Sequence, residues 1–235
     1  RVLLTVTGAC AVHCRYCFRR HYPYSEANPA AANWGAALDY ITADGTISEV
    51  ILSGGDPLTL SDRRLEDLLQ PLAEIAHVRR LRIHTRLPIV LPERITGALL
   101  HLLAASRLQP VLVVHANHAR EIDTAVRQSL GRCRQAGIAL LNQSVLLRGV
   151  NDSPAALAQL SEVLFEVGVL PYYLHMLDKV RGAAHFEVSE ADAGRILTEL
   201  STCLPGYLVP RLVREAAGAP AKQPVRTADF VPVDP

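Results

Sequence analysis

Three of the chain's five cysteines fall within eight residues, in the run Cys10-Ala-Val-His-Cys14-Arg-Tyr-Cys17. An odd cysteine count with this crowding is poor arithmetic for a disulfide framework. It suits a metal or cluster site in a reducing compartment, so a cytoplasmic setting is expected. Three thiolates ligate three irons of a [4Fe–4S] cube and leave the fourth iron open to an outside ligand. The alternative is zinc, which wants four ligands and usually draws them from paired knuckles; His13 is a fourth ligand on paper, but it is cramped between two of the cysteines. A second group stands further on, at Ser53-Gly54-Gly55-Asp56-Pro57. Glycines there let the main chain approach a ligand closely, and Asp56 is placed to accept from an ammonium, although Gly-Gly-Asp-Pro alone is also an ordinary tight turn.

Something must hold these groups, and the rest of the chain says what. Apolar and β-rich runs predict strands over 2–7, 49–53, 81–85, 111–115, 139–144 and 170–175. Amphipathic helices are expected over 33–43, 61–76, 93–105, 119–136, 153–168 and 189–203, several with start signals such as Ser61, Ser153-Pro154 and Ser189. Strand and helix alternating at roughly 30 residues is the βαβ pattern. Six units imply an α/β fold with a parallel sheet, a partial (β/α)6 TIM-type barrel, whose chemistry sits where strands end. The polar groups obey that rule: the cysteine run follows the first strand, the Gly-Gly-Asp turn the second, and His115-Ala-Asn117-His118 the fourth. One domain over 1–235 is expected, with a barrel at 1–205 and a Pro- and Ala-rich tail at 206–235 where the alternation fails.

Composition narrows the class. With 49% hydrophobic and 20% charged residues the chain can bury one sizeable core. Lys+Arg number 24 against Asp+Glu 23, a balance that argues against a nucleic-acid surface or a polybasic membrane patch. No apolar run is long enough to span a bilayer as a helix. The chain opens on a strand-like Arg1-Val-Leu-Leu-Thr-Val without a methionine, so a preceding N-terminal segment is expected to be missing.

Cys-x3-Cys-x2-Cys with an aromatic, Tyr16, before the last cysteine resembles the radical S-adenosylmethionine (SAM) superfamily. The resemblance implies a [4Fe–4S] cluster on Cys10, Cys14 and Cys17, SAM chelating its open iron, and a 5′-deoxyadenosyl radical on reduction. It makes Gly54, Gly55 and Asp56 the turn that meets the methionine amino group, with His115, Asn117 and His118 at the end of the fourth strand as the lining of the adenosyl pocket; a histidine that satisfies local backbone is the alternative. Longer strings are similar to the lysine 2,3-aminomutase family: Arg15-Tyr-Cys17-Phe-Arg19-Arg20, Arg86-Leu-Pro-Ile-Val-Leu-Pro92, Asn142-Gln143-Ser144-Val145-Leu146-Leu147, Pro171-Tyr172-Tyr173 and Leu208-Val209-Pro210.

That family adds pyridoxal 5′-phosphate (PLP), which holds the substrate amine as an imine during a radical 1,2-shift. The sequence has two lysines, Lys179 and Lys222, and Lys222 in Gly218-Ala-Pro-Ala-Lys222-Gln-Pro224 matches the family's cofactor lysine. A glycine run usually precedes that lysine, and Gly-Ala-Pro-Ala stands here instead. By the same matching Arg1 and Gln143 contact the PLP phosphate or its surroundings, and Arg19 pairs with a substrate carboxylate. Asp178 and Glu215 hold the ε-ammonium of L-lysine, since a buried ammonium demands carboxylates; surface ion pairs are the plainer reading of both acids. Cys133 and Cys203 are expected to be buried structural thiols. The string from Tyr173 to Lys179, Arg181-Gly-Ala-Ala-His-Phe186 and the short tail are most similar to the branch that makes (R)-β-lysine for elongation factor P, onto which a separate ligase attaches it. Implied partners are therefore L-lysine, an electron donor such as flavodoxin or ferredoxin, and the elongation factor P system. An aminomutase for free-lysine metabolism or another amino acid, a PLP-free radical enzyme and a non-catalytic metal-binding module remain the alternatives.

Overall fold

The computed structural model describes residues 1–22, 34–216, 218–219 and 221–225. Strands occupy β1 (Val2–Thr7), β2 (Glu49–Gly54), β3 (Arg80–Thr85), β4 (Gln109–Val114), β5 (Ala139–Val145), β6 (Val169–His175), β7 (Arg211–Arg214) and β8 (Gln223–Pro224). Strands β1 to β4 lie side by side in chain order, and so do β6 to β8. Between them lie α1 (Gly35–Ala43), α2 (Asp62–Glu74), α3 (Leu87–Val90), α4 (Gly97–Ala104), α5 (Thr124–Gln135), α6 (Pro154–Glu166) and α7 (Glu190–Cys203).

The chain divides into two compact units. The first comprises 1–13, 19–115 and 123–141; the second comprises 14–18, 116–122 and 142–235. In the first unit β1 to β4 pair in parallel, and their register sorts the side chains by face. Leu4, Leu52, Ile83 and Leu112 share one face, because Leu4 pairs with Leu52, Leu52 with Ile83 and Ile83 with Leu112. The opposite face carries Glu49, Arg80, Arg82 and His84. Helix α2 buries Leu65, Leu68, Leu69 and Leu72, the three-and-four spacing of a core-facing stripe. Each leucine so buried contributes roughly 2 kcal/mol. The second unit has its own core, built from residues such as Leu157 on α6, Leu174 on β6, Leu197 and Leu200 on α7 and Leu212 on β7.

The six expected strands appear within two residues of their predicted ends, and the helices differ in instructive ways. The stretch 93–105 breaks into a 3-10 turn, Pro92–Arg94, and α4, because the Thr96 hydroxyl accepts from Leu99 N at 3.1 Å and starts a new helix. The stretch 119–136 breaks likewise at Asp123, whose carboxylate accepts from Val126 N at 2.9 Å. Asn33, the expected start of the first helix, lies outside the described residues, as do Pro220 and 226–235 of the tail. The rest of the tail corrects the expectation that the strand–helix alternation fails from 206 onward, since a strand follows α7. Here β7 runs parallel to β6, and β8 runs antiparallel to β7. Four residues of strand between Pro210 and an alanine-rich stretch are too few to show a period. Cys203 also differs from expectation: it is exposed at the last position of α7, whereas Cys133 is buried on α5. Among the described residues no helix is long and apolar enough to cross a membrane.

Candidate functional site

In the first unit the chain leaves β1 and is immediately clasped by the turn after β2. Gly55 N donates to Thr7 O at 2.7 Å, and Asp56 N donates to Ala9 O at 2.8 Å. Both glycines are required by this clasp. Gly54 has φ 129°, and a Cβ on it would lie 2.2 Å from Thr7 O; a Cβ on Gly55 would lie 2.1 Å from Ala9 O. The main chain that these glycines admit most closely is therefore the segment leading to Cys10. Arg19 donates to Gly54 O at 2.8 Å, so the stretch after the cysteine run is fastened to the same turn.

Asp56 is buried, and four donors meet its two oxygens. Oδ1 accepts from Thr85 Oγ1 at 2.6 Å and Leu58 N at 3.1 Å, while Oδ2 accepts from Arg86 N at 2.6 Å and Leu87 N at 3.2 Å. A carboxylate offers about four lone-pair sites. Acceptance from a ligand ammonium, the sequence expectation for Asp56, therefore meets oxygens already engaged; the carboxylate braces the Gly-Gly-Asp turn against the end of β3. Burial pushes its carboxyl above the ordinary range, against the pull of the four donors. His115 stands just past β4, its ring edge-on to His84 at 5.8 Å. Arg1 precedes β1, at the end of the strand opposite the cysteine run.

In the second unit Cys14 and Cys17 bound a turn closed by Cys17 N donating to Cys14 O at 3.1 Å. Both thiols are partly exposed, and Cys10, in the first unit, is exposed. Among the described residues no three His, Cys, Asp or Glu side chains converge as ligands of one metal ion.

The second unit also gathers the residues about Lys222. This lysine forms an ion pair with Glu215, and its ammonium lies 5.7 Å from the centre of the Tyr173 ring. Asp178 feels both charges: burial first, and then the Glu215 carboxylate, raise its pKa, with Lys222 opposing them. His175, at the end of β6, is pushed down to about 4, by burial first and then by Lys222. Its Nε2 is buried without a hydrogen-bond partner, as is Nε2 of Gln143 on β5. The other lysine, Lys179, acts electrostatically on Glu190 at the start of α7. Of the predicted substrate and cofactor residues, Asp178, Glu215 and Lys222 are thus brought together. Their neighbours Tyr173 and His175 were given no site role from the sequence, although both stand in the family-like string from Tyr173 to Lys179 at the end of the sixth strand.

Residues 4–160 match the family model described as the Radical SAM superfamily. The chain belongs to the radical SAM superfamily. It is 56% identical over 225 residues to an L-lysine 2,3-aminomutase of Escherichia coli (strain K12), and 52% identical over 222 residues to one of Haemophilus influenzae. These alignments cover 96% and 94% of the chain, and the chain spans 66% of each relative's length. A solved coproporphyrinogen III oxidase of Escherichia coli, itself described as a radical SAM enzyme, is similar in fold over 86% of this chain and 51% of its own, with TM-score 0.58 and 15% identity. The fold class expected from the sequence, α/β with a parallel sheet of the partial TIM-barrel kind, is the fold of this superfamily. Membership implies a [4Fe–4S] cluster and SAM. The donor set fits a cube, which takes one thiolate per iron and so asks for no convergence of the three thiols on one ion.

Proposed function

We propose that this chain carries the core of a PLP-dependent radical SAM aminomutase converting L-lysine to (R)-β-lysine, as an isomerase. The observation that carries the reading is the group formed by Lys222, Glu215 and Asp178. It offers one amine, held beside two carboxylates, at the end of β6. Similarity to proteins named L-lysine 2,3-aminomutase supports the same substrate.

When bound, the cluster with SAM supplies a hydrogen-abstracting radical, and PLP supplies covalent attachment for the migrating amino group. The chain's own residues do the rest. Cys10, Cys14 and Cys17 hold the cluster, and Gly54 and Gly55 keep the turn beside Cys10 closed. Lys222 presents its amine to PLP, and the buried, partnerless Nε2 of Gln143 is a donor that fits an oxygen-rich group, the phosphate or its surroundings. Arg1 and His115 are assigned to the PLP phosphate and the adenosyl group. Asp178 and Glu215 bind the ε-ammonium; Glu215 holds the Lys222 ammonium in the resting chain and can exchange it for the substrate's. Arg19, fastened to the Gly-Gly turn through Gly54 O, is assigned to the substrate carboxylate, which suits a planar guanidinium. Fixing both ends of lysine sets which carbon faces the radical, where orientation matters more than proton transfer.

The wider assignment is a cytoplasmic enzyme, reduced by a flavodoxin or ferredoxin, whose product modifies elongation factor P through a separate ligase. The test is anaerobic incubation of the reconstituted protein with SAM, reductant, PLP and L-lysine. β-Lysine is expected; cleavage of SAM with no β-lysine overturns the assignment.

A further inference from the structure

Two residues separate Cys14 from Cys17, and the side chain of each is hooked to another part of the second unit. The Tyr16 hydroxyl accepts from Asn117 Nδ2 at 2.5 Å. Arg15 Nη2 lies 3.0 Å from His185 Nε2, and the guanidinium sits 5.0 Å from the centre of the Phe186 ring. The hydrogen bond from Cys17 N to Cys14 O sets the shape of this turn but cannot set its direction. Direction has to come from outside the turn, and these hooks supply it.

Asn117 is 4% exposed, and all four of its polar groups are used. Its N–H donates to Glu121 Oε1 at 2.6 Å, its carbonyl accepts from Asn151 Nδ2 at 2.9 Å, and its Oδ1 accepts from Val145 N at 2.8 Å. Asn151 is fully buried and tied in turn to Leu147 N at 2.7 Å and Val145 O at 2.9 Å. Two of these bonds tie Asn117 to the end of β5 and the turn beyond it, and the third ties it to Glu121 in the 3-10 turn Ala119–Glu121. The fourth group, the amide N–H, is the one aimed at the cysteine run. A residue held by both backbone groups and its Oδ1, and reaching out with its amide N–H, transmits a position, in the way that partners of a ligand fix the ligand's orientation.

We propose that Asn117 is a positioning residue for the iron–sulfur cluster. It acts through the Tyr16 hydroxyl to set the direction of the Cys14–Cys17 turn, and His185 steadies the same turn through Arg15. The cluster belongs to the superfamily and not to the aminomutase reading, so this inference stands or falls independently of the substrate.

The experiment uses anaerobically reconstituted protein and its Tyr16→Phe, Asn117→Ala and double variants. Three quantities are read: iron per chain, the rate at which a chelator bleaches the cluster, and the electron paramagnetic resonance of the reduced cluster with and without SAM. Tyr16→Phe removes one oxygen and leaves the ring, so it is expected to fold and load iron as the parent does. It should lose its cluster on the order of fivefold faster, the factor that one ordinary hydrogen bond supplies, and show an altered spectral response to SAM. The double variant should bleach no faster than Asn117→Ala, because the two changes break one link. His185→Ala should accelerate loss when added to Tyr16→Phe. Parental bleaching and an unchanged SAM response in Tyr16→Phe overturn the proposal, as does a double variant whose rate is the product of the two single effects. Should Asn117→Ala fail to fold, the Tyr16→Phe measurements decide alone.

Discussion

Four donors converge on the two oxygens of Asp56, and only Leu58 N, two residues on, belongs to the turn that Gly-Gly-Asp-Pro announces. The string announces a turn; that Thr85, Arg86 and Leu87, some thirty residues away, complete it depends on β2 and β3 lying side by side. Replacing Asp56 with alanine takes the acceptor from the Leu58 and Arg86 N–H groups and from the Thr85 hydroxyl, while Leu87 N keeps Thr85 Oγ1 at 3.0 Å, and should cost about 3 kcal/mol in urea unfolding. Lys222 is the contrary case, visible in the sequence because the chain has two lysines and only this one precedes Gln-Pro. What the sequence did not reveal is that its resting partner is Glu215, expected instead to face the substrate. Lys222→Ala should abolish the borohydride-fixed PLP adduct and lower β-lysine formation by roughly two orders of magnitude or more, with SAM cleavage retained. An adduct that survives the substitution places the cofactor elsewhere.

At the scale of elements, hydrophobic period found the six strands, since runs such as Val111-Leu-Val-Val can do little else than lie buried in a sheet. It found neither the breaks in two long helices nor β7 and β8, where a single capping side chain or four residues of strand carry the information. Face assignment was also hidden, because it follows from register. Register sets Glu49 of β2 beside Arg80 of β3 and brings it into ion pairs with Arg80 and Arg82. Arg82 is 9% exposed and its Nε has no hydrogen-bond partner, so Glu49 carries most of the compensation for a buried guanidinium. Glu49→Gln should therefore destabilise by about 3 kcal/mol, because an unpaired buried charge costs more than the pair contributed. Adding Arg82→Met should recover most of that loss, and thermal unfolding of the two variants checks the pair.

For the molecule as a whole, the group around Lys222 ties stability to pH. His175 titrates at about 4 against an ordinary 6.5. Between those values the unfolded chain holds a proton that the folded chain refuses, so stability rises with pH across the window and falls as the solution is acidified through it. The two-and-a-half-unit displacement sets an upper bound of about 3 kcal/mol. Asp178 and Asp56 work in the other direction. Both carboxyls are raised, so the folded chain takes up protons there before the unfolded chain does, and acidification into the carboxylate range favours it. Wherever the raised carboxyls and the histidine titrate together, the two effects oppose each other. Stability should thus fall as the pH drops from about 6.5 toward 4, with the two aspartates flattening the fall. Urea midpoints measured across that range should show this profile, and His175→Asn, which cannot take up the proton, should remove the slope while leaving the flattening from the two aspartates. A parental profile as flat as the variant's would mean that His175 is neither as buried nor as close to the Lys222 ammonium as the fold puts it.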